Sequence, residues 1–512
     1  VFASVLEEYF KSQANFSREA TMSFLTRDEL DALMPAEMLP HTTPIPTQII
    51  SSDEYIPAPQ SDRQRQVEAR LLDMGDELGK KQGLSRRAFF QSAAGMAAAF
   101  VAMNDTFGHI FDVSKAEAAT PAMAQERANA LKDQFIMDMH THFLRDDTRI
   151  QTFVRQREAV GKAGWNPELI GKPQTIEDLK WNNYFKEVFL DSDTKIALIS
   201  SAPSDIPQDW FLTNEMTIAA RERVNKEAGS KRMMAHAIFT PGQPGWLENL
   251  EHALGMKPDS IKGYTIGDNT NKDKSAYPWR MDDEKVTYKG YELALKHGIK
   301  NICVHKGLFP SSVEERFPHL LSYCDVRDVG QAAKDWPQLN FIIYHSAYRY
   351  PGGGTAEQGW QEFETTGRVS WTSDLADIPA KYGVSNVYGD VGQLFAQSVV
   401  AEPRLGAALM GVLVKGLGAD HICWGTDAIW TGSPQWQIEA LRRLEIPEDM
   451  QKKYGFAPLG GPTDAVKTAV FSGNNMRLYG LAKRSDLGDR FAAMKQEYLE
   501  NGAARSNLRY GY

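Results

Sequence analysis

Two histidines stand two residues apart at the end of an apolar run, in Met137-Asp-Met-His140-Thr-His142. In an extended segment, residues two apart project to the same side, so both imidazoles can face one ion. Three more metal-competent residues close later apolar runs. His305 ends Asn301-Ile-Cys-Val-His305, His345 ends Phe341-Ile-Ile-Tyr-His345, and Asp427 ends Cys423-Trp-Gly-Thr-Asp427. Imidazoles and a carboxylate gathered in one buried place are poorly solvated or mutually repulsive unless a cation joins them. The chemistry such a set suggests is polarisation of a carbonyl and ionisation of water by a divalent metal.

These residues need a frame that brings distant strand ends together. Eight short β-rich runs recur after residue 130: Phe135–Met139, Lys195–Ser200, Arg232–Phe239, Ser260–Ile266, Ile299–Val304, Asn340–Tyr344, Val384–Tyr388 and His421–Trp424. Helix-compatible stretches lie between them, among them Lys285–His297, Arg327–Trp336, Arg404–Gly416 and Gln435–Leu444. That alternation predicts an α/β fold, a (β/α)8 TIM barrel, whose active sites sit at the C-terminal ends of the strands. An open doubly wound sheet is the competing arrangement, but no GxGxxG follows the first run. Gly352-Gly353-Gly354 lacks the Gly-Lys-Ser/Thr that completes a phosphate loop and reads as a flexible loop.

The His140-Thr-His142 pair, His305, His345, Gly425-Thr-Asp427 and a closing Gly473-Asn474-Asn-Met-Arg477-Leu478-Tyr479 together resemble the amidohydrolase superfamily, in its amidohydrolase-related branch of lactonases, other hydrolases and nonoxidative decarboxylases. The resemblance spans about residues 130–482. It implies one divalent metal held by His140, His142 and His305, with Asp427 as a further ligand or proton shuttle. His345 would contact the reacting water or the substrate oxygen. Zn2+ is the expected ion, and Mn2+, Fe2+ or Co2+ meet the same nitrogen and oxygen donors. In the two-metal branch a carboxylated lysine bridges both ions. Lys262 sits on the corresponding fourth strand, but several residues before its end, which favours one metal and a lysine paired with an acid in or beneath the barrel.

Arg145, Asp205, Trp210, Arg349, Trp371 and Trp430 follow strand ends, and Asp390 closes the seventh run. Arginine there suits a carboxylate substrate, and tryptophan suits a planar or apolar body. Packing of a loop is the alternative role for each tryptophan. Asp138 should point away from the histidine pair and serve a structural hydrogen bond. His236 reads as a core residue or a ligand, His252, His297 and His319 as helix or loop residues, and His421 as belonging to the opposite end of the barrel.

The expected activity is hydrolysis of a C–O or C–N bond in a lactone, ester or amide. Nonoxidative decarboxylation of an unsaturated or aromatic acid is the alternative, and a non-catalytic barrel serving assembly is a third. The expected partner is a small molecule, a carboxylate among the candidates, and a homo-oligomer is expected. The chain has 512 residues, three cysteines and a formal charge of −9. Such a balance argues against nucleic-acid binding, and three cysteines make no disulfide framework.

The organisation expected is a helical and Pro-rich extension over residues 1–84, a twin-arginine-like segment and linker over 85–129, the barrel over 130–482, and a helical tail over 483–512. The extension begins with amphipathic spacing over 1–34 and a capping-box pattern at Thr26-Arg-Asp-Glu29, continues through a proline-rich connector over 35–60, and returns to charged helical pattern over 62–83. Ser85-Arg86-Arg87-Ala88-Phe89-Phe90, the apolar run to Met103 and the small residues Ala116-Glu-Ala118-Ala119 resemble a twin-arginine export signal, although about eighty residues precede it. Periplasmic export is the expectation, with membrane contact only through residues 88–103. A buried alanine-rich helix in a cytoplasmic protein is the alternative.

Overall fold

The structure is a computed structural model that describes residues 43–49, 58–164, 171, 173–350, 353–481 and 490–500. Eight strands lie side by side in chain order: β1 (Met137–Thr141), β2 (Ile196–Ile199), β3 (Met233–Phe239), β4 (Ser260–Tyr264), β5 (Asn301–His305), β6 (Asn340–Tyr344), β7 (Val387–Asp390) and β8 (Ile422–Cys423). Every neighbouring pair is parallel. All eight predicted runs are strands, with ends displaced by up to three residues. Parallel strands are covered on both faces, which is why these runs are almost continuously apolar rather than alternating.

β8 is only two residues long, so the chain that follows it closes the ring. Met139 N donates to Trp424 O at 3.1 Å, Asp427 N to His140 O at 2.8 Å, and His142 N to Ala428 O at 2.6 Å. Asn475, within the closing motif, ties the same seam from below: its amide donates to Met137 O at 2.7 Å and Trp424 O at 2.9 Å. Asn474 donates to Ala419 O and Ile422 O, both at 2.8 Å. The motif is therefore a bracket across the first and last strands. Met137, Met139, Leu198, Met234, Cys303, Ile342 and Cys423 fill the barrel, and Met476 plugs its base.

The predicted helices appear as Thr287–Lys296, Val329–Asp335, Pro403–Gly416 and Pro434–Arg443. One expectation is corrected. The triple-glycine run is not a loop throughout, because a helix begins at Gly353 and continues to Thr366; Gly352 lies outside the described residues. The tail contributes a helix over Arg490–Glu500.

Residues 1–34 lie outside the described residues, as does most of the proline-rich stretch. The charged pattern forms the helix Asp62–Lys81, capped by Ser61 with Gln64 in a reciprocal capping box. The apolar run forms the helix Ala93–Phe107, whose Ala94, Ala97, Ala98, Ala99 and Ala102 are buried to 1% exposure or less. Small side chains let neighbouring backbone approach closely, so an alanine face packs tightly without bulk. Phe100 lies under the Arg443 guanidinium, and Phe111 bridges to Leu444 on the barrel. The segment resembling an export signal is thus folded into the protein, and most of residues 88–103 face protein. Among the described residues no helix is long and apolar enough to cross a membrane.

Candidate metal centre

β1 places His140 inside the strand and His142 just beyond it, both 1% exposed. His142 Nδ1 lies 3.1 Å from Ser200 O. A carbonyl only accepts, so Nδ1 carries the proton and Nε2 carries the lone pair. The same logic applies to His140. Asp390 Oδ2 accepts the backbone N–H groups of Gly392 at 3.1 Å and His345 at 3.3 Å. The third contact at that oxygen, 2.9 Å from His140 Nδ1, is therefore donated by the imidazole. Both Nε2 atoms then face one point. They stand 3.0 Å and 3.1 Å from the same oxygen, Oδ1 of Asp427.

Burial holds His140 well below the ordinary histidine range and pushes His142 down to about 4. Both rings are neutral near pH 7. Two lone-pair nitrogens and a carboxylate thus converge with acceptor against acceptor. Hydrogen bonds from His140 to both Asp390 and Asp427 would require an imidazolium, which burial disfavours. A cation resolves the conflict, and the His140, His142 and Asp427 ligand atoms lie close enough together to share one.

A second group, His140, His345 and Asp390, adjoins the first. His345 Nδ1 lies 2.8 Å from Gly392 O, so Nδ1 carries a proton. Burial raises the Asp390 carboxyl well above the usual range. Asp390 closes β7 as expected, and it orients His140.

The backbone around these groups is specialised. Asp427 has φ +62°, and His345, Ser346 and Ala347 have φ +59°, +43° and +54°. Non-glycine residues in this region cost about 1–3 kcal/mol each and persist where the surroundings fix them. Gly425 admits no side chain: a Cβ there would lie 2.1 Å from Asp390 Oδ1 and 2.6 Å from His140 Cβ. The Gly-Thr-Asp sequence therefore provides close approach as well as the ligand. Thr426 donates to Asp138 through its hydroxyl and through its N–H at 3.1 Å, and His140 N donates to the same Asp138 at 3.0 Å. Asp138 is the structural acceptor that the sequence suggested. Burial pushes its carboxyl up to about 7.

The remaining candidates divide. His305 stacks on Tyr264, with ring centres 4.6 Å apart, and packs edge-on against His345 at 4.7 Å. It is thus one ring beyond the closest three-atom group. Trp430 is 1% exposed and stacks on His142 at 5.4 Å, forming a wall of the site. Three candidate substrate residues are engaged elsewhere. Arg145 pairs with Asp147 at 2.5 Å, and Arg349 pairs with Glu314 at 2.6 Å while lying over the Trp371 ring. Asp205 accepts from Ala276 N at 2.7 Å and Gln243 at 3.1 Å, fastening two loops. Trp210 is a loop residue, donating to Ser204 O at 2.8 Å.

Lys262 corrects the expectation of a lysine held by an acid away from the site. Its Nζ stands 3.1 Å from His140 Nε2 and 4.1 Å from the centre of the Tyr344 ring. The backbone of Lys262 lies below the strand end, but its side chain reaches the mouth. Two strand residues rise roughly 6–7 Å, about the length of an extended lysine stem. Tyr344 was the residue sequence reasoning missed. It faces the His140 ring at 4.1 Å, donates to Met139 O at 2.8 Å, and meets His236 Nε2 at 2.8 Å. Its place immediately before His345 was the available signal. His236, held also by Ser260 Oγ at 2.8 Å, is a core residue. His252 pairs with exposed Glu215, and His421 caps the base through Asp420 and Ser385 O.

Residues 267–481 match the protein family described as Amidohydrolase. No curated protein matches the chain. Solved structures similar to it include an amidohydrolase from Burkholderia multivorans (13% identity, 68% of this chain and 100% of that one, TM-score 0.39). Another is a dihydroxybenzoic acid decarboxylase from Polaromonas sp. JS666 with bound manganese (15%, 69% and 98%, TM-score 0.38). A third is a probable 2-pyrone-4,6-dicarboxylic acid hydrolase from Acinetobacter baumannii (11%, 68% and 99%, TM-score 0.37). Likeness of that size carries no argument about chemistry. The family match covers the part of the barrel, from β5 onward, that supplies His305, His345, Asp390 and Asp427.

Proposed function

We propose that this protein is a metal-dependent hydrolase of a C–O or C–N bond in a lactone, ester or amide, with His140, His142 and Asp427 holding one divalent cation. The observation that carries the reading is the convergence of two neutral imidazole nitrogens on one buried carboxylate oxygen. A cation bound there supplies Lewis acidity toward a carbonyl oxygen and lets a neighbouring water ionise near neutral pH. Zn2+ is our proposal for the ion, and Mn2+, Fe2+ or Co2+ suits the same donors.

The protein's own groups divide the remaining work. Asp390 fixes the His140 tautomer and ring plane through Nδ1, and Ser200 O does the same for His142. Asp427 Oδ2 takes a proton from the attacking water and returns it to the leaving oxygen or nitrogen. His345, protonated at Nδ1, accepts a hydrogen bond from that water at Nε2, and His305 beside it orients the substrate. Trp430, stacked on His142 and 1% exposed, keeps bulk water off that flank.

Lys262 favours a second reading, nonoxidative decarboxylation. Its ammonium stands among the acceptor groups, where it can pair with a substrate carboxylate. Incubation of the metal-loaded protein in 18O-water with a panel of lactones, esters, amides and aromatic acids separates the two. Hydrolysis places 18O in the product acid, whereas decarboxylation releases carbon dioxide and leaves the organic product without 18O. Full turnover after chelation and in His140→Ala would overturn both.

A further inference from the structure

The base of the barrel, at the strands' N-terminal ends and away from the histidines, holds a cavity of about 420 Å³. Lys195 precedes β2 and Arg232 precedes β3. The helix Pro121–Leu131 and its exit residue Lys132 close one side, and the helix Arg490–Glu500 with Lys495 closes another. The acids on its wall are Asp133, Asp193 and Glu500. Asp193 is already claimed by Arg442 at 2.9 Å, Gln435 at 3.1 Å and Lys495 at 3.3 Å. Asp133 is exposed at the rim.

Lys195 is the unusual member. Its ammonium is partly buried and makes one long hydrogen bond, 3.5 Å to Lys132 O. Among the described residues no carboxylate lies within ion-pair distance of it. Burial lowers its pKa, and Arg232 and Arg442 act in the same direction against Asp193 and Asp133. The adjoining Thr194, 3% exposed, has a hydroxyl with no hydrogen-bond partner and also lines the cavity. Arg232 turns one nitrogen to Lys195 O at 2.9 Å, which fixes its guanidinium beside the ammonium. A cation short of a counterion and a second, fixed cation beside it on the wall of a half-open cavity form a receptor for an oxyanion.

We propose that this basal cavity binds a small carboxylate or phosphate anion, gripped by Lys195 with Arg232 and Lys132. The occupant joins three pieces of chain that line the cavity: the helix before β1, the starts of β2 and β3, and the C-terminal helix. Such a ligand stabilises the folded chain in proportion to its occupancy.

The test titrates the full-length, metal-loaded protein separately with inorganic phosphate and with succinate, following heat by calorimetry and the melting temperature. At least one anion should bind and raise the Tm, and the arm that responds identifies the head group. Lys195→Ala should weaken that binding about tenfold, with metal content unchanged, while Lys195→Arg should keep most of it. An equal affinity in wild type and Lys195→Ala would place the anion elsewhere and overturn the proposal. So would the failure of both anions to raise the Tm. Should Lys195→Ala not fold, Lys132→Ala alters an exposed side chain of the same wall, and an unchanged affinity in that variant overturns the proposal too.

Discussion

The two ends of this barrel both bury charge, and they do so in opposite ways. At the base Arg442 meets Asp193 at 2.9 Å and Glu439 at 2.7 Å, and Arg443 meets Glu117 at 2.7 Å. Donor alternates with acceptor, and the network joins the N-terminal layer to the barrel. At the mouth, His140, His142 and Asp427 present acceptor to acceptor. A buried network complete within the chain is a structural joint, worth most when one member is removed. A buried set whose acceptors outnumber the one ammonium beside them, Lys262, is unfinished within the chain, and that incompleteness marks function.

The contrast can be broken most severely at the mouth. Asp427→Asn should lower turnover by about a thousandfold or more and strip most of the metal. In the metal-free protein the same change should leave thermal stability equal or raised, because it removes repulsion. Metal analysis, kinetics and calorimetry on one preparation check all three. At the base Arg442→Met should behave oppositely. Leaving Asp193 and Glu439 buried without their partner should cost about 3–5 kcal/mol, read by denaturant titration, while metal binding per folded molecule stays unchanged.

Gly425→Ala probes packing between the two ends. The added methyl would fall 2.1 Å from Asp390 Oδ1. A loss of about 1–3 kcal/mol should accompany a displaced His140 and reduced metal content. Asp390→Asn is milder. It keeps an acceptor for His140 but weakens the hold on its tautomer, so metal affinity should fall about 10–100-fold, measured by competition with a chelator.

A pH-dependent effect lies where the N-terminal layer meets the barrel. Arg63 pairs with Glu402 at 3.0 Å, yet burial pushes the Glu402 carboxyl up to about 7 from 4.5, with Arg63 opposing. The folded state binds the proton more tightly than the unfolded chain. The resulting stability is complete below the unfolded value and is lost as pH rises through about 7. Each unit of that shift is about 1.4 kcal/mol. Wild type should therefore lose stability relative to Glu402→Gln between pH 5 and pH 8, and parallel melting curves would contradict it.

Much of the barrel was legible because its strands are short, buried, mostly apolar runs, and parallel strands require that composition. His140, His142, Asp390 and Asp427 were legible because each stands where a strand stops. Lys262 was misjudged, since a long side chain separates the place of its backbone from the place of its charge. Arg145 and Arg349 were read as free to meet substrate because their acidic partners, Asp147 and Glu314, lie in loops whose course no periodicity reports. The export-like run over Ala93–Met103 was ambiguous in principle. Alanine-rich apolar helices suit a leader and a crowded protein interior alike.

Residue types and periodicity by themselves determined the strand order, the end of the barrel that carries chemistry and the kinds of group found there. Those depend on local backbone geometry and on which residues can be buried. Only the tertiary structure decided which nitrogen of each imidazole keeps its lone pair, because the partners that fix it, Ser200 O and Asp390, come from other strands. It also decided that Asp427 meets both rings through one oxygen and that Lys262 reaches His140. These are distances of about 3 Å between residues more than a hundred positions apart. Hydrogen-bond directions at that range follow from closure of the barrel, which no local pattern encodes.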